Sequence, residues 1–311
     1  SSTLKRVQDG QGPPPSVDFR MAYRTSYSDG DTAMCNPAKH VVLIHGTGHT
    51  GDFYHWTKEK LRAVGANEMA AVLSPELERK SIVDRLHEQE DGVCVTTIDM
   101  RGHGHSDSPV GPYSAQLIAA DVAEGLKLIH GEDKKYHLNG LSLGWGVSLS
   151  IAFHYPEIVS TVSGGGFLAD RTASGDLAAW FGSFPQLIDL LGLELLGKAA
   201  NFLIHCVPYD SAFNMLRYQN MNGYKHASAS WLNYNERHMY AELKAPLLFL
   251  HPVRDDLAGV YMPLVEAEMN DIPGEKKLIV FNTTGKEDHC HQLFAPDEYF
   301  GHFLEFLRQH S

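Results

Sequence analysis

Ser142 lies in GLSLG (140–144), flanked by glycines where the apolar run KYHLNGL gives way to the helix-like LGWGVSLSIAF. A serine hydroxyl is a nucleophile at neutral pH only beside a base. The base in turn needs an orienting acid, and the oxyanion formed on attack needs hydrogen-bond donors. Groups of each kind stand where strand-like runs end. Asp255 and its neighbour Asp256 follow APLLFLHPV, while His289 and His291 follow KKLIVFN. The turn LIHGTGHTG offers the backbone N–H of Thr47, and Leu143 offers a second donor directly after the serine. The chemistry these groups support is acyl transfer. Glycine and serine are common, so GxSxG alone decides little; the chain order serine, aspartate, histidine adds to it.

The elements that must position these groups follow from the pattern of apolar residues. FRMAYRTSY, VVLIH, VCVTTIDM, KYHLNGL, IVSTVSG, APLLFLHPV and KKLIVFN read as strands, several of them apolar throughout, as strands covered on both faces are. Helical spacing is expected over 52–64, 143–155 and 297–309. Another helix is capped by Ser114, carries Leu117, Ile118, Val122, Leu126 and Ile129 on one face, and stops before Gly131. Alternation of strand and helix implies an α/β fold: a mostly parallel central sheet with helices on both faces. Ser142 then sits on a tight strand-to-helix turn, where glycines at 140 and 144 avoid collisions and the helix N-terminus points free N–H groups at a nearby anion.

Residues 167–242 break the alternation with helix-like sequence and hold 12 of the 31 aromatic residues in 76 of 311 positions. They read as a helical cap inserted into a core formed by 1–166 and 243–311, with Trp180 and Trp231 as candidates to line an apolar pocket. Packing of cap helices on the sheet accounts for such aromatics equally well. Residues 67–91 form a further helical addition whose place is open.

Composition narrows the partner. Acidic residues outnumber basic ones 38 to 26, a formal charge of -12 without a basic block, which argues against nucleic acid or an anionic membrane surface. A small-molecule substrate with an apolar part is expected. No run approaches the length of a membrane span, and the start lacks the apolar stretch of a signal peptide. Cys35, Cys94, Cys206 and Cys290 show no CxxC spacing, so neither a disulfide framework nor a zinc knuckle is expected, and the setting reads as reducing and cytoplasmic.

In these motifs the chain resembles the α/β-hydrolase superfamily, in the form with a helical cap, from residue 17 to 311. LIHGTG is similar to its oxyanion loop, DMRGHGHSD to its turn after the next strand, and GLSLG to its nucleophile elbow. HPVRDD resembles its acid loop, where the aspartate lies four positions after a strand-end histidine; this puts the acid at Asp255. DHCHQLFAPDEYF resembles its histidine loop, where a proline follows the catalytic histidine by seven positions; this selects His289 over His291. The resemblance implies a serine hydrolase cleaving a carboxylic ester, lactone or thioester, with Ser142, His289 and Asp255 as nucleophile, base and acid, Thr47 and Leu143 as oxyanion donors, and no cofactor. Some members carry the acid one strand earlier, which makes Asp170 the alternative. A lyase, an acyltransferase, a cofactor-free haloperoxidase or a ligand receptor with vestigial turnover would use the same constellation.

The chain departs from the family pattern at Asp288, where a glycine is usual, at Trp145, where a small residue is usual, and in the added 67–91. His45 and His251 end strands and are expected to be structural. His103, His105 and Asp107 spell part of a metallo-hydrolase signature, with HCH at 289–291 as a possible partner. Ser108 stands where that signature needs another histidine, so no metal is expected.

Overall fold

The computed structural model describes residues 3–4, 17–27, 35–47, 49–109, 113–166, 168–170, 234–255, 260–282 and 289–311. Seven strands build one sheet: β1 (Tyr23–Tyr27), β2 (His40–Ile44), β3 (Cys94–Ile98), β4 (Tyr136–Leu141), β5 (Val159–Gly165), β6 (Leu247–Pro252) and β7 (Lys276–Phe281). Across the sheet they run β7-β6-β5-β4-β2-β3-β1. Neighbours are parallel except β1, which pairs antiparallel with β3 and sets Thr25 opposite Thr96.

Parallel neighbours need crossovers, and the helices supply them. They are α1 (Lys58–Ala63), α2 (Asn67–Val72), α3 (Ile82–Gln89), α4 (Ala115–His130), α5 (Leu143–His154), α6 (Met262–Met269), α7 (His291–Phe294) and α8 (Pro296–Gln309). The alternation of side chains along β2 divides the core into two layers. Val42 and Ile44 pack with Ile118, Val122 and Leu149 of α4 and α5, whereas Val41 and Leu43 pack with Leu86 and Phe303 of α3 and α8. Ser114 caps α4 by accepting the Leu117 N–H, and the helix ends at Gly131 with φ 96.

The stretch 52–64 is not one helix. Gly51–His55 is a 3-10 turn, and Thr57 then caps α1 by accepting the Lys60 N–H. The cause is remote in sequence: the Asp99 carboxylate accepts the Gly51 N–H at 2.6 Å and fixes the start of the turn. Residues 67–91 fold as α2, a 3-10 turn at Pro75–Leu77, and α3. They pack on the core: Leu77, Ile82, Val83 and Leu86 are buried, and Arg85 Nε donates to Asp297 Oδ1 at 2.6 Å on α8.

Cys35 and Cys94 form a disulfide, their Cα atoms 5.5 Å apart, and Cys290 is a free buried thiol. This corrects the expectation of unpaired cysteines. The chain before β2 folds against the start of β3, where Asn36 N donates to Gly92 O at 2.9 Å, a closeness that spacing cannot reveal. Disulfides persist in oxidising compartments, so the cysteines no longer support a reducing setting. Among the described residues no helix is long and apolar enough to cross a membrane.

Of the segment expected as a cap, only the ends, 168–170 and 234–242, are described; Trp180 and Trp231 lie outside the described residues. The two ends run side by side. Asp170 bridges Asn235 antiparallel, and Glu236 N donates to Ala169 O at 2.8 Å. Arg237–Glu242 then forms a 3-10 helix leading toward β6.

Candidate active site

β4 delivers the chain to Ser142, whose φ of 53 and ψ of -120 make it the one non-glycine residue with positive φ among those described. Such backbone costs on the order of 1–3 kcal/mol and persists only where its surroundings dictate it. Here the surroundings are backbone. A β-carbon on Gly144 would stand 2.1 Å from Ile44 O, and one on Gly140 would stand 2.3 Å from Gly144 O. The first turn of α5 therefore lies directly on the ends of β2 and β4. Ser142 N donates to Gly165 O at 2.8 Å, tying the turn to β5 as well. Trp145, one departure from the family pattern, points inward: it is fully buried and edge-on to Phe249 at 5.0 Å.

The loop after β2 approaches the serine through Gly46, where a β-carbon would be 3.2 Å from Ser142 Cβ. Thr47 follows on that loop, and Leu143 opens α5 with one of the helix's free N–H groups. His45 holds the loop in place. Its Nδ1 donates to Gly46 O at 2.8 Å and its Nε2 accepts the Met100 N–H at 3.1 Å, which fixes a neutral tautomer. Burial drives its pKa down to about 3, so the ring stays uncharged. Asp99 clamps the next turn to this loop: besides Gly51 N it accepts the His105 N–H at 2.9 Å, and its carbonyl takes the Ser106 hydroxyl at 2.6 Å. The motif DMRGHGHSD thus braces the loop that carries Thr47. His103 Nδ1 donates to Arg101 O at 2.9 Å, and Asp107 pairs with Arg20. Among the described residues no group of three or more His, Cys, Asp or Glu could hold a metal ion.

Asp255 and His289 come together from the ends of β6 and β7. His289 Nδ1 donates to Asp255 Oδ2 at 2.6 Å, the carboxylate being buried and the imidazole nearly so. With Nδ1 committed, Nε2 is the nitrogen left for proton transfer. The ring lies beside the serine turn across Gly166. A β-carbon there would be 3.2 Å from His289 Cε1 and 3.6 Å from Ser142 N, and the residue's φ of 77 suits glycine. An imidazole paired with a carboxylate in this way can take a proton from a hydroxyl and return it.

His291 starts α7, stacks on Phe281 at 4.0 Å and pairs with Glu298 at 3.3 Å. Asp170 is in the stem of the inserted segment. Asp256 and Asp288 lie outside the described residues. His251 is buried near the pair, and burial takes its pKa down to about 4.

Two groups in the region escape sequence reasoning. Glu268 on α6 is buried and accepts the N–H groups of Ala169 at 3.0 Å and Asp170 at 2.8 Å, together with the Tyr240 hydroxyl at 3.1 Å. It pins the stem of the inserted segment, which Tyr234 also ties to α5 by donating to Gly146 O at 3.2 Å. His49 is the second, a buried imidazole beside Gly46. One acidic residue among thirty-eight and one histidine among eighteen carry no signal of their own.

Relatives are distant. An uncharacterised protein of Mycobacterium tuberculosis is 27% identical over 162 residues, a match covering 50% of this chain but only 37% of that protein. The 3-oxoadipate enol-lactonase 2 of Acinetobacter baylyi is 31% identical over 112 residues, 36% of this chain and 39% of the enzyme. A thermophilic esterase from Thermogutta terrifontis superposes with a TM-score of 0.68 at 17% identity, covering 100% of both chains, a likeness of fold. Residues 41–303 match the alpha/beta hydrolase family as a whole, from β2 through the serine turn to α8, and the chain belongs to that family.

Proposed function

We propose that the protein is a serine hydrolase that cleaves a carboxylic ester, lactone or thioester through an acyl-enzyme. The observation that carries this reading is the 2.6 Å contact of His289 with Asp255 beside a serine held at positive φ. In the proposed cycle Ser142 Oγ attacks the carbonyl carbon while His289 Nε2 takes its proton. Asp255 holds the ring in the required tautomer and stabilises the imidazolium. The N–H groups of Thr47 and Leu143 receive the oxyanion, each such donor contributing about 3–4 kcal/mol. Collapse of the tetrahedral adduct expels the alcohol or thiol, which leaves with the proton from His289. Water then repeats the sequence on the acyl-enzyme and releases the acid. The enol-lactonase named above acts on a bond of this class, which adds support.

A panel of p-nitrophenyl esters, lactones and thioesters tests the proposal. Turnover of at least one class is expected, with Ser142→Ala folded and reduced by about five to six orders of magnitude in kcat. If the pocket is apolar, efficiency rises with acyl length by up to about 0.8 kcal/mol per buried methylene. Tight binding without turnover, or full activity of Ser142→Ala, would reject the proposal.

A further inference from the structure

We infer that His49 supplies a third hydrogen-bond donor to the oxyanion, from a side chain rather than the backbone; the inference rests on Ser142 being the nucleophile. His49 belongs to the loop that carries Thr47, and its own N–H closes a turn on Gly46 O at 3.2 Å. Its ring is packed edge-on against Phe53 at 4.6 Å, a contact that fixes its direction. A β-carbon on Gly46 would meet three atoms: Ser142 Cβ at 3.2 Å, Leu141 O at 3.3 Å and His49 Nδ1 at 3.4 Å. The ring and the Cβ of the nucleophile therefore flank the same face of Gly46, the residue before the proposed donor Thr47.

The hydrogen bonding of the ring sets it apart. His45 and His103, on the same loop and the adjoining turn, each engage a ring nitrogen with a backbone carbonyl at 2.8 and 2.9 Å. Both ring nitrogens of His49 are buried, and among the described residues neither has a hydrogen-bond partner. The carbonyls of Gly46 and Thr47 lie near enough to favour the protonated ring slightly, yet neither accepts a bond of good geometry. Buried polar groups are nearly always paired, and one left open beside a reactive serine is suited to a partner that appears only during the reaction.

The ring's charge state fits the role. Burial, followed by the neighbouring His289 and His103, takes its pKa down to about 3. A neutral imidazole keeps one N–H to donate and places no positive charge against His289 as that ring becomes an imidazolium. It does not compete for the proton of Ser142, because at neutral pH so weak a base stays unprotonated.

The test compares His49→Phe, which keeps a ring against Phe53 but has no donor, with His49→Gln, which restores an N–H. On an ester turned over by the wild type, His49→Phe is expected to lose about 10- to 100-fold in kcat with KM within about twofold, and His49→Gln to recover most of the loss. Wild-type kcat in His49→Phe, or equal impairment of both variants, would overturn the inference. A measurement on the unaltered protein guards against misfolded variants: in a sample labelled with nitrogen-15 histidine, phenylboronic acid should shift the His49 ring N–H downfield. An unmoved resonance with the boronate bound at Ser142 overturns the donor role alone. Failure of a fluorophosphonate to label Ser142 overturns the nucleophile, and this inference with it.

Discussion

Ser142 and the pair Asp255–His289 are held by opposite means. Around the serine the closest constraints are backbone: strand ends at Ile44 and Leu141, carbonyls that leave no space for a β-carbon at 140 or 144, and a hydrogen bond from Ser142 N to Gly165 O. Asp255 and His289 stand beyond the ends of β6 and β7, and one side-chain hydrogen bond joins them. Positive φ at Ser142 can persist because parallel strands fix it; the acid and base meet through a side-chain hydrogen bond. Substitutions of the glycines around Ser142 should therefore act on folding, and substitutions of the acid and base on turnover.

After loss of the serine hydroxyl itself, the largest effect should come from the pair. Asp255→Asn keeps the shape but favours the wrong tautomer of His289, so turnover should fall by about four orders of magnitude while the melting temperature moves little. Asp170→Asn should cost less than about tenfold, because the structure anchors that residue through its backbone N–H to Glu268. The reverse ranking would transfer the acid to the stem of the inserted segment.

Next comes the serine turn itself. Gly144→Ala forces a β-carbon against Ile44 O and should cost about 3–5 kcal/mol or prevent folding. Gly301→Ala, in α8 with open space around it, should instead stabilise by about 0.5–1 kcal/mol. Denaturant midpoints measure both. Equal tolerance of alanine at 144 and 301 would break the contrast between backbone-held and side-chain-held regions.

A third test addresses the edge far from the site. Cys94 begins β3, whereas the reactive groups gather at the opposite strand ends. Reducing the Cys35–Cys94 disulfide, or making Cys35→Ser, should remove about 2–4 kcal/mol of stability and leave turnover unchanged.

The smallest effect belongs to Glu268. Burial raises its pKa, opposed by the amides of Ala169 and Asp170, the Tyr240 hydroxyl and Arg237. A carboxyl that holds its proton more tightly when folded favours the native state while protonated. Its contribution therefore declines as pH rises from the ordinary carboxylate range through the raised native value. Glu268→Ala leaves two stem amides unpaired and should cost about 1–3 kcal/mol near pH 5. The deficit should shrink toward pH 8, and a deficit that grows with pH would contradict the account.

What could be read from sequence followed the same division. GLSLG, the apolar strands and the capped helix at Ser114 are local patterns, and the fold class and the serine turn came from them directly. Asp255 and His289 were reachable through position after a strand and through resemblance, because no short pattern states which loop carboxylate meets which imidazole. Features that depend on remote partners were not legible. Asp99 ends the expected helix at 52–64 from 48 positions away along the chain, and Glu268 reaches amides 98 and 99 positions distant. The 67–91 addition shows its place only through its contact with α8, and the disulfide joins residues separated by 59.

The most direct test of the central claim is the site of covalent capture. The protein, treated with a fluorophosphonate and digested, should show by mass spectrometry one adduct, on Ser142, and Asp255→Asn should slow its formation in step with its loss of turnover. An adduct on a different serine, or none in a protein that still turns over esters, would contradict the assignment of Ser142 as the nucleophile.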